Sequence, residues 1–311
     1  MSGRPRPRPR LALVDSAALV AIAIAAVLHA AWNILLKTAG DPLRTATAGV
    51  AASSAILVPL VAIGWLVLGR PSIPLEAWLI GTFSGAVEVA YFVFLAAAYR
   101  RGDLSVVYPL ARGTAPLLAV FLGVVVLGER LAPAAWLGVG LLVAGLLVVQ
   151  RPWRLLGSST AHDDRVAAGF AILTGAMIAS YSALDRVGVQ AAPAWFYAGI
   201  LWPVCAVGLL VVAWVRPRVA GGAYAAPDEP LDMPRAIVGG LLTFTAYAFV
   251  LFALSRAPLA IVAPLRESAV LLTSVWGVMR LREVTGRTEV TLRLAGSVLV
   301  LAGAAALAVA R

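Results

Sequence analysis

The chain of 311 residues has one lysine, one asparagine, one cysteine and two histidines, and only 13% of it is charged. Each scarcity closes a class of function. Cys205 stands alone inside an apolar run, which excludes an intrachain disulfide framework and a thiolate metal site. His29 has no His, Cys or carboxylate at ligand spacing, so no metal and no cofactor are expected. No P-loop, GxSxG, HExxH or CxxC motif occurs. ATP-driven pumping and common hydrolytic chemistry therefore have no carrier, and no catalytic residue is assigned. The charged share is roughly half that of a soluble domain, too little to cover a globule of this size.

Apolar side chains take up the difference: hydrophobic residues make up 61% of the sequence, and the mean hydropathy is +0.93. Several apolar runs reach the roughly 20 residues needed to cross a bilayer core. The net charge of +10 comes from Arg scattered over loop after loop. That distribution suits lipid headgroups at helix ends and gives no continuous face for nucleic acid. The expected partners are a small-molecule substrate and the lipid bilayer, with no nucleic acid and with a homodimer left open. The opening Met1–Arg10 carries four Arg and resembles the start of a signal peptide. The run that follows, Ala17–Leu36, is long, ends in Lys37 and opens a repeated unit, so it reads as a retained first span.

The repeat is the strongest signal. Tyr99–Leu127 and Leu254–Leu281 align at an offset of 155 residues, setting Arg101 on Arg256, Leu104 on Leu259, Pro109 on Pro264 and Leu110 on Leu265. One deletion then brings Glu129 opposite Glu283. Trp32–Lys37 aligns with Tyr181–Arg186, and Gly138 and Gly145 match Gly296 and Gly303. Apolar runs between charged or Pro/Gly-rich breaks place spans at Ser16–Leu36, Thr45–Leu68, Ala77–Tyr99, Leu104–Leu127 and Pro133–Val149. A second set follows at Val166–Leu184, Ala194–Val215, Ala236–Leu254, Leu259–Met279 and Val290–Ala310. Five crossings return the chain to the opposite side, so the second copy must be inverted in the membrane. The expected fold is all-α and integral to the membrane, ten transmembrane helices as two inverted five-helix repeats. A disordered Arg/Pro tail over 1–15 precedes repeats over 16–151 and 165–311.

These features resemble the drug/metabolite transporter superfamily, and within it the EamA-type transporters. The residues that carry the likeness are the paired five-span units and Gly128-Glu129-Arg130-Leu131 after the fourth span, degraded in the second copy to Arg282-Glu283-Val284-Thr285. His29, Trp32, Asn33, Lys37 and Asp41, with the segment Tyr108–Pro116, resemble a bacterial subgroup associated with phosphonate-utilisation genes. The resemblance implies transport without ATP, a central cavity lined by the third, fourth, eighth and ninth helices, and both termini in the cytoplasm. A plain count of loop Arg favours the reverse orientation, whereas the Arg-rich tail before the first span favours the N-terminus inside. The expected orientation is the one the resemblance implies, with the N-terminus inside. The cell (inner or plasma) membrane is the expected location.

Four ionisable residues fall well inside the expected spans: Glu88, Arg112, Arg266 and Glu267. A charge at mid-bilayer costs about 2.5–3.5 kcal/mol on insertion scales, so each must face a cavity or another charge. Arg112 and Glu267 hold equivalent positions, three residues beyond Pro109 and Pro264, which are expected to kink their helices. Arg112 or Arg266 can hold an anionic group of a substrate, because a planar guanidinium grips carboxylate or phosphate bidentately. The plainer alternative is a set of ion pairs that only locks the bundle. Glu88 has Thr243 as its repeat mate and is a proton-coupling candidate, or else a counter-ion. His29, Asn33 and Lys37 lie four apart and form one polar stripe beside Trp32, suited either to line the cavity or to bond between helices. Tyr247, Tyr181, Trp195 and Trp202 can stack on a substrate or anchor span ends. The function expected is a secondary transporter, an exporter of a small polar metabolite with an anionic group, proton-coupled or exchanging. The alternatives are an integral-membrane enzyme and a flippase for amphiphiles.

Overall fold

A computed structural model describes residues 15–37, 41–101, 104–150, 162–220, 230–267 and 287–309. Among them are ten α-helices and no strand. The first five are α1 (Ser16–Lys37), α2 (Pro42–Val67), α3 (Leu75–Tyr99), α4 (Leu104–Phe121) and α5 (Pro133–Gln150). The second five are α6 (His162–Ala191), α7 (Ala194–Ala220), α8 (Met233–Arg256), α9 (Leu259–Glu267) and α10 (Arg287–Val309). Five described stretches are long and apolar enough to cross a membrane: Pro42–Val67, Leu75–Tyr99, Arg165–Ala191, Ala194–Arg218 and Met233–Arg256. Shorter apolar stretches lie in α1, α4, α5 and α10. Residues 1–14, most of the expected tail, are outside the described residues, as are Glu283 and the rest of the ninth expected span.

Local chemistry sets the helix ends. Asp41 accepts the backbone N–H groups of Leu43 and Arg44 at 2.9 and 3.1 Å, with Pro42 in the first turn. Asp232 accepts that of Arg235 at 3.0 Å, with Pro234 in the first turn. Both arrangements satisfy N–H groups that a new helix leaves open. The last turns of the fourth span widen into a π-helical segment, Leu122–Val126, and Gly128 follows with φ of +66°, a conformation glycine adopts without strain. Along the outer surface Leu60, Val67, Leu79 and Phe83 are exposed, as lipid-facing side chains are.

Packing obeys the pseudo-two-fold implied by the repeats. Exchanging α1–α5 with α6–α10 carries the α3–α6 contact onto α8–α1, and both are among the most extensive in the molecule. The pairs α2–α7, α4–α9 and α5–α10 map onto themselves. In the last pair the matched glycines meet. A Cβ on Gly145 would lie 2.7 Å from the Gly296 carbonyl oxygen, and one on Gly303 would lie 2.7 Å from that of Gly138. The four glycines thus bring two antiparallel helices into backbone contact, as small residues do in lipid. The fold is the all-α membrane architecture expected from the sequence.

One boundary differs in a way that matters. The sixth span is expected to end at Leu184, before the charged pair Asp185-Arg186, but α6 runs on to Ala191. Both charges therefore sit inside a helix, where they find partners on other elements.

Candidate functional site

Three of the four ionisable residues singled out inside the spans, Arg112, Arg266 and Glu267, meet in the structure. Arg112 on α4 donates from Nη1 to both carboxylate oxygens of Glu267 on α9, at 3.0 and 3.2 Å. The two are repeat mates, so the pair straddles the pseudo-two-fold. Arg266, although adjacent to Glu267, also reaches it, donating from Nε to Oε1 at 3.3 Å. Neighbouring residues on a helix point about 100° apart, and the long Arg side chain spans that gap. Its Nη1 turns to the Ser182 hydroxyl at 3.3 Å, and its guanidinium lies 6.0 Å from the Tyr181 ring centroid. Two guanidiniums therefore share one carboxylate, with Arg266 and Glu267 buried and Arg112 only 11% exposed.

Aromatic rings enclose this triad. Tyr181 meets Tyr91 and Tyr247 edge-on, with centroids 5.9 and 5.8 Å away, and Trp202 stacks on Tyr247 at 6.0 Å. Trp202 is held by an indole N–H donated to Ser53 at 2.9 Å. Of the aromatics named from sequence, Tyr181, Trp202 and Tyr247 are buried here, while Trp195 is 37% exposed on the outer surface. His29 on α1 faces Arg112 and Arg266. Trp32, on the same helix, packs its ring against Gly239 of α8. Asn33 and Lys37 lie on α1, with side chains outside those described. Pro264 lies buried within α9, and Pro109 lies within α4.

A second polar cluster adjoins the first. Glu88 on α3 is 4% exposed, and its Oε2 has no hydrogen-bond partner. The Cys205 thiol and the Tyr247 hydroxyl face it. Beside it is Asp185, fully buried, which accepts hydrogen bonds from Ser84 at 2.5 Å, from Tyr197 at 2.9 Å and from Tyr247. Sequence reasoning passed over Asp185 because Asp-Arg in tandem reads as a helix end. The signal was available in Val187-Gly188-Val189, which resumes the apolar run beyond the charges.

The motif after the fourth span has a concrete role. Glu129 accepts the backbone N–H groups of Leu259 and Ala260 at 2.7 and 3.0 Å, capping the first turn of α9. Arg186 donates from Nε to the same carboxylate at 3.3 Å and also bonds the Leu254 carbonyl oxygen. On this face Arg256 bonds Asp15 at 2.6 Å. The first turn of α9 is thereby clamped to the ends of α6 and α8, which positions Arg266 and Glu267 two turns further in.

Residues 16–151 match the model of the EamA-like transporter family. The match covers the first repeat, a little under half of the chain. A solved crystal structure aligns with 95% of this chain and 99% of its own, with a TM-score of 0.69 at 18% identity, a likeness of fold. The multidrug transporter PA4990 of Pseudomonas aeruginosa is 40% identical over 62 residues, 20% of this chain and 56% of its own length. The spermidine export protein MdtI of Salmonella paratyphi B is 39% identical over 70 residues, 22% of this chain and 64% of its own. An uncharacterised transporter of Sinorhizobium sp is 37% identical over 81 residues, 26% and 57% respectively. The chain thus spans little more than half the length of the curated relatives it matches.

Proposed function

We propose that the protein is a secondary active transporter of a small polar metabolite, an exporter that exchanges its substrate for protons across the cell membrane. The observation that carries this reading is the shared carboxylate. Arg112 and Arg266 both lean on Glu267, so the triad of two guanidiniums and one carboxylate carries a net positive charge in the interior. An anionic group on a substrate can take up that charge, with the aromatic rings of Tyr181, Tyr247 and Trp202 around it. His29 and Trp32 border the same region from α1, where Asn33 also lies. Glu88, buried with a bare oxygen, is the residue we assign to the proton. The family of the first repeat supports transport over catalysis.

A second reading has its own support. The spermidine export protein among the relatives is named for a cationic polyamine, and the bare oxygen of Glu88 suits an ammonium group. A thermal-shift and calorimetric panel of organophosphates, phosphonates, dicarboxylates and spermidine on purified protein separates the two. The anionic reading expects binding of an acid and its loss, by about tenfold or more, in Arg112→Gln and Arg266→Gln, the value of one charge-assisted hydrogen bond. Binding of spermidine alone, surviving both substitutions, would transfer the substrate site to Glu88.

A further inference from the structure

We propose that Glu88, Tyr247 and Asp185 form a proton relay, in which a proton carried by Glu88 passes to Asp185 through the Tyr247 hydroxyl. The inference rests on the proton-coupled reading above and deepens it by assigning a second acid and a carrier between the two.

Donor and acceptor counting leads to this assignment. Ser84, Tyr197 and Tyr247 each own one hydroxyl hydrogen, and all three are directed at Asp185. An acid supplied with three donors and no acceptor partner is arranged for its ionised form. Tyr247 has thereby spent its only hydrogen, but its oxygen can still accept. Glu88 faces that oxygen and has one oxygen with no partner in a 96% buried position, taken from its 4% exposure. Protonated Glu88 satisfies both needs at once by donating to Tyr247.

Among the described residues, the cations near Glu88 are engaged with other groups. From α3 itself it is faced by Tyr91, from α6 by Asp185 and Tyr181, from α7 by Cys205 and Tyr197, from α8 by Tyr247 and from α9 by Arg266. Arg266 is already held by Glu267 and Ser182. Arg112 of α4 is engaged with Glu267. Ser84 and Glu88 are four residues apart on one face of α3, so the two acids sit about one helical turn apart along the bundle.

The transfer balances within these three groups. The Glu88 O–H bond breaks as the Tyr247 oxygen takes the proton, and the hydrogen that Tyr247 held passes to Asp185 Oδ2. The phenol ends neutral, Glu88 ends ionised and Asp185 protonated. Ser84 and Tyr197 can then rotate their hydroxyls to accept. Asp185 precedes Arg186, which is clamped to Glu129 at the bundle's end, so the relay carries a proton toward that face.

Infrared titration of the full chain in lipid nanodiscs tests the relay with the proton itself as the probe. The wild type should show a carboxylic-acid carbonyl band that titrates with pH and is missing in Glu88→Gln. Tyr247→Phe, which keeps the ring packing, should move the frequency of that band, because the acid loses its acceptor. Asp185→Asn should shift its midpoint by about one pH unit or more. A band unchanged in frequency and midpoint in both Tyr247→Phe and Asp185→Asn overturns the relay and leaves Glu88 as a lone carrier. A band that survives Glu88→Gln overturns both the relay and the coupling role of Glu88. Size-exclusion profiles matching the wild type confirm that each variant is folded.

Discussion

At the scale of single residues, the interior is governed by how few charges it holds and how completely they are committed. Glu267 is the hinge of that arrangement, since it pairs with two guanidiniums. Removing one partner of a buried pair leaves the other stranded, at about 3–5 kcal/mol. Glu267→Gln should therefore lower the unfolding temperature in detergent much more than Arg112→Gln does. The double variant Arg112→Gln/Glu267→Gln should recover part of the loss, because the stranded charge goes with its partner. Strictly additive losses in that cycle would show that the two side chains do not interact. Arg112, Arg266, Glu267 and Glu88 were legible in the sequence because an isolated charge in an apolar run is costly and conspicuous. Asp185 was not, because it stands next to Arg186 and the two together look like the edge of a span. The partners of each charge were hidden as well: Arg112 and Glu267 are 155 residues apart, and only the packing of α4 on α9 brings them within 3.0 Å.

Whole elements are held in place by a few clamps at their ends and by close crossings between them. Helix α9, which carries two of the interior charges, begins on a cap supplied by Glu129 from 130 residues earlier in the chain. Glu129→Ala removes acceptors for two N–H groups and a partner for Arg186. A loss of about 0.5–2 kcal/mol is expected from the cap alone. Melting of the purified variant at neutral pH measures it, and an unchanged midpoint would mean that water replaces the carboxylate at no cost. At the start of α1, the Ala17 backbone N–H and then Arg256 hold the Asp15 carboxyl below its ordinary range. With the folded value depressed, its contribution is present above the unfolded value near 3.8 and fades as pH falls through the folded one. Asp15→Asn should thus slightly weaken the wild-type chain at neutral pH and have no effect in strong acid. The α5–α10 crossing makes a sharper demand. Gly145→Leu should separate two helices now in backbone contact and lower expression of folded protein, whereas Gly140→Leu, which meets open space, should be tolerated.

For the molecule as a whole, the packing of the helices follows the internal repeat. Ten spans would return the chain to the side from which it started, and the resemblance to EamA-type transporters leads us to propose that this side is the cytoplasm. A reporter fused after Arg311 that works only in the cytoplasm checks this, and a silent but stably expressed fusion would reverse the orientation. The number of spans, their inversion and the type of fold follow from the sequence alone, because lipid admits only apolar helices and an odd-numbered repeat must turn over. The sequence also shows that Gly138, Gly145, Gly296 and Gly303 repeat at matched positions, and the tertiary structure shows that they meet one another. Tertiary structure alone decided which charge meets which, that Asp185 belongs to the interior, and that Glu129 caps a helix in the other repeat. Periodicity and hydropathy describe each helix against its solvent. Pairing between buried polar groups depends on the rotation and depth of one helix against another, which no single segment of sequence contains.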